Sequence, residues 1–145
     1  MTSSDPHNLQ RFVDAQASVI ETALEELAAG SKQSHWMWFI FPQLAGLGRS
    51  PAAQFYAIAS LDEAQSYLEH PLVGPRLRES VAALLRWAGK RSPDQILGSI
   101  DAMKLCSSLT LFDQAAPGDV FGRALAAFFE GRADERTLAL LEPTH

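Results

Sequence analysis

Start and stop signals for helices recur along this whole chain, and they restrict it to a set of brief helices packed together. Asp5-Pro6, Ser50-Pro51 and Ser92-Pro93 each set a capping side chain ahead of a proline, the pattern of a helix whose first amide needs no partner. Ser60 with Glu63 and Ser92 with Gln95 have capping-box spacing, in which the serine oxygen accepts from an amide three residues on and the longer side chain returns to the serine amide. Gly30, Gly89, Gly98 and Gly131 stand where a helix would end. Ser99 is expected to cap the helix that follows Gly98.

Between these signals the apolar residues keep a helical period. Leu9, Phe12 and Val13 make a first face, and Val19, Ile20, Ala23, Leu24 and Leu27 make a second, with Glu21, Glu25 and Glu26 opposite. A stripe of Leu77, Val81, Leu84, Leu85 and Ala88 predicts a helix from Pro71 to Ala88. Phe121, Ala124, Leu125 and Phe128 predict another, and Leu138 and Leu141 face inward from a last one begun near Asp134. From Ile100 to Phe112 apolar side chains surround the helix, so that segment is expected to be buried on several sides. No stretch alternates like a strand, and neither heptads nor repeats of fixed period occur. The prediction is an all-α fold, a compact single domain over residues 1–145 of eight or nine short helices, with Ser18 a possible break between the first two. Residues 1–7 and 143–145 are expected to be flexible ends.

Composition narrows the function classes. A chain of 145 residues, 47% hydrophobic and 20% charged, can bury one sizeable core. Its formal charge of −5, with lysines and arginines scattered singly, lacks the basic footprint of a nucleic-acid binder, so no nucleic-acid partner is expected. Cys106 is the single cysteine, and no Cys/His spacing suits a metal; neither a metal nor a cofactor is expected. The polar stretch from Met1 to Asn8 does not resemble a secretory signal, and the longest apolar run, Trp36 to Pro42, is far below the roughly 20 residues that span a bilayer. No membrane association and a cytoplasmic location are the expectations.

Two segments carry side chains suited to chemistry. From Ser34 to Gln43 the chain gathers four of its thirteen aromatic residues, among them Trp36 and Trp38. Large aromatic faces stack on planar or cationic ligands, and His35 and Gln43 could orient one; His35 is also the candidate acid or base. Set against this, Trp36, Phe39 and Ile40 share a helical face and could simply be core, with Trp38 and Phe41 packing a second contact. The other segment is Asp101, Lys104, Ser107 and Ser108, a polar stripe on an otherwise apolar helix. It could hold an anion through the Lys104 charge and the hydroxyls, or be a solvated face with an ordinary Asp101–Lys104 ion pair. Cys106 reads as a buried, inert thiol. Gly46-Leu47-Gly48-Arg49-Ser50 could meet a phosphate but lacks the phosphate-loop spacing, and two glycines in a loop more often just permit a turn.

The strings His35-Trp36-Met37-Trp38-Phe39-Ile40-Phe41-Pro42-Gln43, Gly46-Leu47-Gly48, Tyr56-Ala57-Ile58, His70-Pro71 and Lys104-Leu105-Cys106-Ser107-Ser108-Leu109-Thr110-Leu111-Phe112 resemble a bacterial family, domain of unknown function eighteen-ten. The resemblance runs from about Leu9 to Leu141 and implies a compact all-helical fold but no activity. Its two strongest strings coincide with the two segments chosen on chemical grounds. They are therefore expected to be neighbours, with His35, Trp38, Gln43, Asp101, Lys104 and Ser107 lining one cleft for a small polar or anionic ligand. A protein-interaction module with an exposed aromatic patch, or a structural role for both segments, are the alternatives.

Overall fold

Capping side chains and glycines divide the chain into ten helices in a computed structural model that describes residues 5–141. They are α1 (Gln10–Ala17), α2 (Ile20–Ala28), α3 (Met37–Ile40), α4 (Pro51–Phe55), α5 (Leu61–Glu69), α6 (Val73–Leu85), α7 (Pro93–Leu97), α8 (Ser99–Ala115), α9 (Val120–Phe129) and α10 (Glu135–Leu141). The number exceeds the expected eight or nine because the chain does break at Ser18 and because the aromatic segment forms a turn of helix of its own. No strand occurs among the described residues; an isolated parallel bridge joins Leu44 to Ile58. No helix among them is long and apolar enough to cross a membrane.

Most of the local signals act as the sequence predicts. Ser50 accepts from the Ala53 amide at 3.1 Å, and Ser92 completes its box, accepting from the Gln95 amide at 3.1 Å while Gln95 Oε1 accepts from the Ser92 amide at 2.8 Å. Three signals act differently. Asp5 does not open α1; its carboxylate accepts from the amides of Leu9 and Gln10 at 2.8 and 3.0 Å, and the helix starts only at Gln10 because Asn8, at φ 51°, interrupts the right-handed run. Ser60 caps α5, but Glu63 reaches the Ala59 amide at 3.0 Å rather than that of Ser60, since its other oxygen is held by Arg11 at 2.7 Å. Ser99 caps nothing, because Gly98, at φ 89°, turns the chain directly from α7 into α8 and Ser99 is already helical.

Of the ends expected to be flexible, residues 1–4 and 143–145 lie outside the described residues. Within the first seven residues, Asp5 accepts from the Leu9 amide at 2.8 Å and the His7 carbonyl accepts from Arg11 at 2.6 Å.

The buried apolar side chains form one cluster, crossed by rings in sequence: Phe12 meets Tyr67 at 5.1 Å, Tyr67 meets Phe112 at 5.3 Å, and Phe112 meets Phe121 at 5.6 Å. Gln16 is the polar exception within this region. It donates to the Phe39 carbonyl at 2.6 Å and to the Tyr67 hydroxyl at 3.0 Å, which satisfies a buried amide and fastens α3 to α1. α8 runs through the centre and packs against α5, α7, α9 and α10, which is why its sequence is apolar nearly all round. Its first turns emerge, leaving Ile100 and Met103 exposed.

Candidate functional site

The aromatic segment owes its position to a carboxylate that the sequence placed on a solvent face. Glu26, near the end of α2, accepts from the amides of Gln33 and Ser34 at 2.7 and 3.0 Å, from the Trp36 indole at 2.9 Å, and from the Ser34 hydroxyl. Burial pushes its carboxyl upward, but the Ser34 hydroxyl, the Gln33 amide, the Trp36 indole and the Ser34 amide together overcome this and hold it at about 2. Trp36 is thereby drawn fully inside, where it packs on Phe41. Met37, Ile40 and Phe41 are also buried, so most of the segment is core, as one of the two readings of it expected. Trp38 and Phe39 are half-buried, and of the two it is Trp38 that borders the surface clefts.

Trp38 meets α8 there. Lys104 Nζ lies 4.6 Å from the centre of the Trp38 ring, so the two segments singled out in the sequence are in contact. Lys104 is also 3.3 Å from Asp101 Oδ1, and the other oxygen of Asp101 is 2.9 Å from Lys32. Lys32 in turn lies over the Trp36 ring at 5.2 Å. Asp101 is thus shared between two lysines rather than paired with Lys104 alone.

The six residues expected to line one cleft line two adjoining ones. A groove of about 400 Å³ is bounded by Lys32, His35, Trp38, Asp101 and Lys104. A larger cleft of about 660 Å³ is bounded by Trp38, Gln43, Arg49, Lys104, Ser107 and Arg136, with apolar walls from Leu47 and Phe129. Trp38, Ile100 and Lys104 belong to both and form the ridge between them. His35 and Gln43 therefore sit on opposite sides of that ridge, because the chain crosses it within α3.

Each expected residue then has a definite place. His35 is exposed and lies beyond the ridge, on the smaller groove with Ser99 and Asp101. Gln43 is half-buried with its side chain on the larger cleft, and its carbonyl accepts from the Ile58 amide at 2.8 Å. Ser107 is buried, not solvated, and its hydroxyl is engaged, 3.2 Å from both the Met103 carbonyl and Asp134 Oδ2. Ser108 is buried and lines neither cleft. Cys106 lines the larger cleft half-buried; burial, then the Asp134 carboxylate, push its thiol up, which keeps it neutral and a poor nucleophile.

Sequence reasoning missed Lys32 and Arg136, and it read Asp134 only as the start of the last helix. Asp134 caps α10 by accepting from the Thr137 amide at 3.0 Å, while its own amide donates to Thr110 Oγ1 at 2.8 Å, so polar contacts seat α10 on α8 and bring Arg136 to the cleft. Asp134 comes three residues after Gly131 and three before Thr137, so its capping role had a local signal; the destination of Arg136 had none. Among the described residues no three histidines, cysteines or carboxylates gather in a metal-binding group.

The structure is similar to the crystal structure of the conserved hypothetical protein Rv1873 from Mycobacterium tuberculosis, with a TM-score of 0.93 and 51% sequence identity, over 97% of this chain and 100% of that one. No curated protein matches the chain. The family model described as protein of unknown function (DUF1810) matches residues 6–141, nearly the full length. The chain belongs to the DUF1810 family.

Proposed function

We propose that the larger cleft binds a small anionic metabolite with a planar part. The observation that carries this reading is the make-up of its walls: an outward tryptophan and three cationic side chains, Arg49, Lys104 and Arg136, outnumbering two carboxylates, Asp94 and Asp134, of which Asp134 is engaged by Ser107 and the Thr137 amide, on one concavity in a protein of formal charge −5. The cations favour an oxyanion, the arginines through planar forks and the lysine as a compact charge. Leu47, Trp38 and Phe129 favour a flat apolar body, and Gln43 supplies a donor and an acceptor to orient it. His35 and Asp101, across the ridge, act only on what reaches past Lys104. No reaction is assigned: the Ser107 hydroxyl, though 3.2 Å from Asp134 Oδ2, is equally close to the Met103 carbonyl, and Asp134 also accepts from the Thr137 amide as the cap of α10. The one free thiol suits a reducing compartment, and we place the protein in the cytoplasm.

A second reading has its own observation. Ile100 and Met103, 71% and 69% exposed on the ridge side of α8, would suit the apolar contact of a protein partner. Trp36, fully buried, takes no part in such a patch.

A thermal-shift screen against nucleotides, sugar phosphates and aromatic carboxylates separates the two. A ligand at 100 times its dissociation constant adds about 2.7 kcal/mol and should raise the midpoint by roughly 5–10 °C in a chain of this length. Cys106 provides an internal check: a ligand in the larger cleft slows its alkylation. A flat screen with unchanged Cys106 labelling would sink the small-molecule reading and favour the docking one.

A further inference from the structure

Resting on that reading, the charges on the ridge indicate how the cleft admits its ligand. Asp101 holds two lysines that are not equivalent. The Lys32 side chain is only 10% exposed and sits 2.9 Å from Oδ2, whereas Lys104 is 24% exposed and 3.3 Å from Oδ1. A carboxylate with two cations keeps a close partner when one departs, so moving Lys104 away does not strand a charge on Asp101. Lys104 would give up an i,i+3 ion pair on a partly exposed helix face, a weak one, and its place over the Trp38 ring. Lys104 borders both clefts, so a rotation about its flexible stem is enough to carry its ammonium to the larger one.

We propose that Lys104 is a transferable cation. In the unliganded protein its ammonium rests between Asp101 and the face of Trp38; on binding it turns to the oxyanion of an aromatic ligand, and the ligand's ring takes the vacated indole face. The spacing permits the exchange without moving a wall. The ammonium stands 4.6 Å from the indole centre, within the roughly 4.5–7 Å at which two aromatic rings pack. Arg49 and Arg136, on the same cleft, supply further donors for the oxyanion. The ligand class is therefore a planar ring bearing a carboxylate or a phosphate, and Lys104 couples recognition of the ring to recognition of the charge: neither half alone both frees the indole face and covers it.

The test uses the full chain labelled with 13C-lysine. In the free protein the Lys104 methylene next to the ammonium is shielded by the indole ring, and its signal is assigned by its absence in K104M. Adenosine 5′-monophosphate and naphthalene-1-carboxylate are titrated in, with inorganic phosphate and adenosine as the separated halves. Binding of either aromatic anion should move the Lys104 signal downfield to the ordinary lysine range, and which of the two binds tells phosphate from carboxylate as the source. Each half should bind at least tenfold more weakly than the adenosine monophosphate. K104M should weaken binding about tenfold, and D101N, which releases Lys104, should strengthen it about threefold. If an aromatic anion binds while the Lys104 signal stays shielded, the transfer is overturned and the cleft reading survives. Weaker binding by a D101N protein with a normal melting profile overturns it as well; if D101N does not fold, the wild-type titration decides. Failure of all four probes to bind overturns the transfer and the cleft reading together.

Discussion

Replacing Glu26 by glutamine tests whether one carboxylate holds the aromatic segment in place. The carboxyl accepts four hydrogen bonds, one from the buried Trp36 indole, and sits at about 2 instead of the usual 4.5. That displacement stabilises the charged form by about 3 kcal/mol, and the solvent open to one side of the carboxylate screens this to about 2 kcal/mol. Because the folded-state value is depressed, the contribution is complete above about pH 4.5 and is lost as the pH falls towards 2. The glutamine retains an acceptor for the indole but no charge, so the variant should be less stable by about 2 kcal/mol at pH 7, with the difference closing between pH 5 and pH 2. Urea unfolding of both proteins across that range measures it, and subtracting one curve from the other removes the other carboxylates, including Asp5 and Asp119, which are also depressed. A difference below about 0.5 kcal/mol at pH 7, or one that persists unchanged at pH 2.5, would refute the reasoning.

Gly74→Ala should cost about 3 kcal/mol or more in urea unfolding, since a Cβ there would lie 2.2 Å from the Leu68 carbonyl oxygen and α5 and α6 would have to part. Glu63→Gln should cost about 3 kcal/mol because the partner Arg11 side chain is buried at 9% exposure, whereas Glu130→Gln, whose partner Arg132 is 83% exposed, should change stability by under about 0.5 kcal/mol. The Cys106 alkylation rate should rise with a midpoint above the usual thiol value, as burial and Asp134 require; a midpoint below that value would contradict the described surroundings.

The contrast between Ser92 and Glu26 explains what the sequence disclosed. Ser92, Ser50 and Ser60 act on amides three residues away, so spacing alone reveals them, and the all-α fold follows from many such local signals with no alternating stretch. Glu26 acts on a loop beyond the end of its own helix, and helical periodicity puts it with Glu21 and Glu25 on a solvent face. Lys32 reaches the ridge through a loop whose amide donates to the Ile96 carbonyl of α7, and Arg136 reaches the cleft through the packing of α10 on α8. Trp38 and Lys104 were legible as chemistry-bearing residues, and their adjacency followed once the two segments were taken as neighbours. That His35 would fall on the far side of the ridge was not legible, because it depends on which way α3 turns within its four residues. Whether Ser107 was solvated stayed open for a related reason: Asp134, which meets its hydroxyl, lies 27 residues further along the chain.

α8 serves at once as the central support of the core and as a wall of the cleft, with Leu105 and Leu109 turned inward and Lys104 turned outward. Adjacent residues on an α-helix differ in direction by about 100°. A single residue inserted ahead of Lys104 would swing each side chain after it by that angle, carrying the lysine towards apolar packing and a leucine towards the cleft. The chain can accordingly exchange side chains along α8 one at a time, but it cannot change the length of that helix without losing its interior and its recognition surface in the same step.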